Sequence, residues 1–69
     1  MLTQIKKFFE ERGFITSFFS KEINSILIKK GDSVVQATES TEGEVTLFLN
    51  KKRFHFENEK NLNKFFKSF

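Results

Sequence analysis

The sequence predicts an α+β domain: an N-terminal helix, an antiparallel meander sheet of four or five strands, and a C-terminal helix, with both helices on one sheet face. Three observations predict it. Apolar residues recur at helical spacing at both ends of the 69-residue chain. Between them the period falls to two, in runs rich in β-branched and aromatic residues. The three glycines, at 13, 31 and 43, each fall where an element should end.

The first helix is expected from about Gln4 to Arg12, with Thr3 as its N-cap. Ile5, Phe8, Phe9 and Arg12 follow the i, i+3, i+4, i+7 spacing of one face, and Leu2 extends it. Lys6, Lys7, Glu10 and Glu11 lie outside that stripe. Gly13 suits the left-handed position that closes a helix. The segment from Phe14 to Asn24 admits two descriptions, a further strand pairing with 23–30 or an irregular connection. Its Phe content requires packing either way.

The runs Ile26-Leu27-Ile28, Val34-Val35, Val45-Thr46-Leu47-Phe48-Leu49 and Phe54-His55-Phe56 read as strands. Turn chemistry sets their registers. Gly31-Asp32 suits a two-residue type II′ loop, which pairs Ile28 with Val35 and Ile26 with Ala37. Thr41-Glu42-Gly43 suits a three-residue loop with Gly43 in a left-handed bulge position, pairing Ala37 with Leu47 and Val35 with Leu49. Asn50-Lys51 suits a type I′ loop, pairing Leu47 with Phe54 and Val45 with Phe56. The three registers agree on parity. One face carries Ile26, Ile28, Val35, Ala37, Val45, Leu47, Leu49, Phe54 and Phe56, and a slip of one residue would break the set.

The last helix opens on Asn58 as N-cap, with Glu59 at the positive end of the dipole. Leu62, Phe65, Phe66 and Phe69 repeat the helical stripe, and Lys64 and Lys67 lie in the last turns.

Eleven of the residues are Phe, six of them in the pairs Phe8-Phe9, Phe18-Phe19 and Phe65-Phe66. A single domain of this size, residues 1–69, needs large side chains to be stable without staples. Phe8, Phe9, Leu47, Phe54, Leu62, Phe65 and Phe66 are the expected core. There is no Cys, hence no disulfide or thiol chemistry. No apolar run approaches a membrane span, and the N-terminus lacks the apolar core of a signal peptide, so a cytoplasmic location is the expectation.

Composition argues against an enzyme. One His and no Cys preclude a Cys-His pair and disfavour a metal cluster. No serine has a nucleophile-elbow context, and Lys29-Lys30-Gly31-Asp32-Ser33 lacks the phosphate-loop frame. No catalytic residue, cofactor or metal is therefore expected. Net charge is +3, but ten Lys and two Arg are interleaved with acids. That describes a mixed-charge surface with a weak preference for polyanions.

The second sheet face is the part that folding does not explain. By the same registers it carries Leu27, Lys29, Val34, Gln36, Thr38, Thr46, Phe48, Arg53, His55 and Glu57, with Leu27, Gln36, Phe48 and Arg53 in one row. Phe18-Phe19 could fold over it. Left open, it is a contact patch, because aromatics and Arg favour interface cores. The candidate partner-binding residues are Leu27, Lys29, Gln36, Phe48, Lys51, Lys52, Arg53 and His55. The expected function is a small non-enzymatic binding protein that regulates or inhibits a macromolecular partner, most simply a protein, with homo-oligomerisation among the expected states. The alternative is RNA or single-stranded DNA binding on the open face, with Phe48 as stacker and the cations on phosphates.

Phe, Lys, Asn and Ile make up nearly half the chain, a bias typical of AT-rich genomes. In size, composition and lack of catalytic residues the chain resembles the small accessory proteins of AT-rich phages, some of which counter host defence. Such proteins often act by occupying a surface of a host or defence protein in the bacterial cytoplasm. No motif carries that resemblance, so it assigns no residue a role.

Overall fold

The computed structural model describes all 69 residues. In chain order it has α1 (Leu2–Glu10), β1 (Ile15–Ser20), β2 (Ser25–Lys30), β3 (Ser33–Glu39), β4 (Val45–Leu49), β5 (Lys52–Phe56) and α2 (Glu59–Ser68). The strands form one antiparallel sheet in the order β1-β2-β3-β4-β5. The segment after the first helix is thus a fifth strand.

Helix α1 starts two residues earlier than its sequence suggests. Met1 occupies the N-cap without a side-chain hydrogen bond, and Thr3 lies inside the first turn. Packing outweighs the cap: Leu2 is buried in the core, and the Met1 ammonium sits 3.3 Å from the Glu39 carboxylate on β3. The helix closes as expected at Gly13, which has φ +89°. The Phe14 N–H donates to the Phe9 carbonyl and the Gly13 N–H to that of Glu10, at 3.0 and 3.1 Å. The Phe9 and Phe14 rings meet edge to face across this closure, 5.1 Å apart. This pairing of backbone bonds and apolar contact is the Schellman motif. At the other end of the chain, the Asn58 side chain caps α2 by accepting from the Asn61 N–H at 2.9 Å.

The registers set by the turns hold at every strand pair from β2 to β5. Gly43 has φ +84°, and the Ser40 N–H donates to the Glu44 carbonyl at 2.8 Å, closing the three-residue loop. Asn50-Lys51 makes a two-residue loop with the expected pairing but is not type I′. Only Asn50 has positive φ, at +58°, whereas type I′ requires it at both residues. Asn50 is held there by β3: its N–H donates to the Val34 carbonyl at 2.7 Å, and its Oδ1 accepts from the Val34 N–H at 2.9 Å. Asn50→Gly keeps the left-handed freedom and loses only the side-chain bond, so it should cost about 1 kcal/mol. Asn50→Val meets the steric penalty as well and should cost about 1–2 kcal/mol more. Urea melts of the two variants check this order, and equal midpoints would contradict it.

The core is Leu2, Ile5, Phe8 and Phe9 of α1, Ile26, Ile28, Val35, Ala37, Val45, Leu47 and Phe56 of the sheet, and Leu62 of α2. Helix α1 lies against β1–β3 and α2 against β5. Two helices about 10 Å wide span a five-stranded face of about 24 Å only just. That explains one correction to the expected core. Phe54, Phe65 and Phe66 are half-buried rather than buried, because they lie on the β5 side, where α2 is the outermost layer. The rings still interlock. Phe8 stacks on Phe66 with centroids 4.0 Å apart, and Phe65 meets Phe54, Phe56 and Phe69. The Arg12 guanidinium lies 3.5 Å from the Phe8 centroid, on the ring face that Phe66 leaves free, and donates to the Phe8 carbonyl at 3.0 Å.

Candidate functional site

The site is the sheet face opposite the helices. Its shape depends on a bulge at Ser17. In β1, Thr16 pairs with Ile28 and Phe18 with Leu27, leaving Ser17 unmatched. One extra residue reverses the parity of every later position in the strand. Phe19 therefore turns to the core side beside Ile26, while Phe18 turns to the open side beside Leu27. Phe18 does not fold over the face; it lengthens it.

The result is a continuous row of Phe18, Leu27, Gln36, Phe48 and Arg53, one residue from each strand. Towards the Gly31 and Asn50 turns lies a second row, Ile15, Lys29, Val34 and Asn50. On the other side lies a third, Ser20, Ser25, Thr38, Thr46 and His55. Three of the five most exposed large apolar residues are here: Ile15 at 73%, Phe18 at 48% and Phe48 at 40%. Leu27 and Val34 are half-buried between them. Of the eleven Phe, eight interlock in the helix-side network and Phe19 packs against the core, so Phe18 and Phe48 alone face away.

Of the candidates from the sequence, Leu27, Gln36, Phe48 and Arg53 share the central row, and Lys29 and His55 flank it. Lys51 stands in the turn at one end, where Asp32, Val34, Asn50 and Lys51 line an open depression of about 500 Å³. Lys52 is a correction. It pairs with Leu49 and so belongs to the helix side, where its ammonium lies 5.6 Å from the Phe54 ring centroid. Parity alone excludes it, since it precedes Arg53 by one residue. Phe18 and Ile15 were missed because their side depends on the bulge.

His55 is anchored on this face. Its Nε2 is 2.9 Å from a Glu44 carboxylate oxygen and its Nδ1 is 3.3 Å from the Thr46 hydroxyl. Both partners and the ring are open to solvent, so the arrangement orients a surface side chain and isolates no base. Elsewhere, the Thr16 hydroxyl donates to Glu10 at 2.8 Å and Lys6 donates at 3.1 Å, and these bonds hold the Glu10 carboxyl below its ordinary value. Glu10 stands on the exposed side of α1, away from the open face. No cluster of three or more His, Asp or Glu could hold a metal ion. No helix is long and apolar enough to cross a membrane. Together these features define a small α+β domain with an uncovered five-stranded sheet face.

No family model matches the chain, and no curated protein or solved structure matches it either.

Proposed function

We propose that this chain is a non-enzymatic binding protein that regulates or inhibits a protein partner by docking its open sheet face. The observation that carries this is the uncovered row of Phe18, Leu27, Gln36, Phe48 and Arg53. Contiguous exposed apolar surface rimmed by polar groups is rare on monomers and favours protein contact. Aromatic and Arg side chains with an apolar centre match the make-up of interface cores.

One observation favours nucleic acid instead: Phe48 stands beside Arg53, a stacker next to a cation. The charge around them weakens that alternative. Lys52 is on the helix side, and Glu44 and Glu57 flank His55 at one end of the face.

Phe48→Ala should weaken capture of a protein partner from nuclease-treated lysate by thirtyfold or more, about 2 kcal/mol, as expected for an aromatic anchor. Lys52→Ala should leave capture unchanged. Oligonucleotide binding whose salt slope falls by about one unit on removing Lys29 or Arg53 would overturn the proposal in favour of nucleic acid.

A further inference from the structure

We infer that the occupant this face fits is a second copy of the same chain, packed sheet on sheet about a two-fold axis running along β3. The inference rests on the open face being a protein-docking surface, and it names the partner.

The argument is the order of the central row. Turning Phe18-Leu27-Gln36-Phe48-Arg53 about an axis along the middle strand sets β1 over β5 of the other copy and β2 over β4. Leu27 then meets Phe48, twice, and both are apolar. Phe18 meets Arg53, twice, an aromatic face under a guanidinium. Gln36 meets its own counterpart, and an amide can both donate to and accept from another amide. Lys29 meets Asn50. At the turn end, Asp32 and Lys51 approach each other across the axis. No like charges oppose one another.

The other in-plane two-fold axis, across the strands, fails this test. It lays each strand over itself and sets Arg53 on Arg53, which is repulsive. An isologous interface must be self-complementary, and only the first axis makes this face so. Aligned sheets pack this way at about 10 Å and −30°.

The area sets the strength. The face is about 24 Å across the strands and about 17 Å along them. That footprint of roughly 400 Å² falls below the ~800 Å² per partner of a standard interface, so micromolar association is expected. Both helices then face outward, giving a four-layer assembly.

Sedimentation equilibrium tests it. The wild type should shift with concentration from the 8.2 kDa chain towards twice that mass. Leu27→Asp should weaken association at least a hundredfold while far-UV circular dichroism shows the fold intact. Gln36→Glu and Gln36→Lys probe the axis itself, because each places like charges face to face. Each alone should be monomeric, and an equimolar mixture should recover the two-chain mass. Gln36 is exposed, so neither change threatens folding.

A wild type that stays monomeric to about 500 μM, above the micromolar range expected of so small an interface, overturns the inference. So does a dimer indifferent to Leu27→Asp and to the Gln36 charges. In the monomeric case, Phe48-dependent capture of another protein leaves the docking reading standing without the second copy. Salt-sensitive oligonucleotide binding in its place removes both.

Discussion

Phe9→Ala should leave this domain largely unfolded at room temperature. Phe9 has no exposed surface, and its ring meets Phe8, Phe14 and Phe69 at centroid distances of 5.1, 5.1 and 5.5 Å. Truncating a buried Phe costs about 3–5 kcal/mol, since transfer and cavity terms add. At roughly 0.05–0.15 kcal/mol per residue, a chain this short has a total stability of the same order. The loss also removes the apolar half of the Schellman closure, so α1 would lose its stop as well as its anchor. Phe65→Ala should cost clearly less, because Phe65 is half-buried on the α2 side. With no Trp or Tyr, the measurement is far-UV circular dichroism against urea. A Phe9→Ala midpoint equal to that of Phe65→Ala would contradict this order of layers.

Leu62→Ala should release α2. Leu62 is the only fully buried residue of that helix, and the rest of its stripe is half-exposed. The expected loss is about 2–4 kcal/mol, against about 1 kcal/mol for removing the Asn58 cap with Ala. Helices this short are not stable in isolation, so the segment 59–68 should become the first site of limited proteolysis. Wild-type resistance of Leu62→Ala in that segment would mean that the ring contacts of Phe65 and Phe66 hold the helix by themselves.

Much of this was legible from residue order. Gly31-Asp32, Thr41-Glu42-Gly43 and Asn50-Lys51 each specify a loop length, and loop length sets register. Parity is then determined with no freedom left, so Leu27, Gln36, Phe48 and Arg53 fall into one row. Even where the turn type differed, at Asn50, the two-residue count preserved the pairing. Gly13 and Asn58 marked the ends of their helices for the same local reason: a backbone group there needs a specific partner or a specific φ.

What stayed hidden was decided between elements distant in sequence. The four-residue turn Lys21–Asn24 and the bulge at Ser17 carry no glycine, so nothing local announced that Phe18 and Phe19 would exchange sides. The pairing of β1 with β2 settles it, because a single unmatched residue reverses a period of two. The early start of α1 was settled by burying Leu2 against the sheet, which outweighs the cap that Thr3 could offer. The half-burial of Phe54, Phe65 and Phe66 was settled by layer width, since two helices reach the sheet edges but nothing covers α2. Sequence alone thus determined the strands, their registers and the central row. Tertiary structure alone decided that the row runs unbroken from Phe18 to Arg53 and stays uncovered, because a side chain's face is set by its neighbouring strand and its exposure by what lies above it.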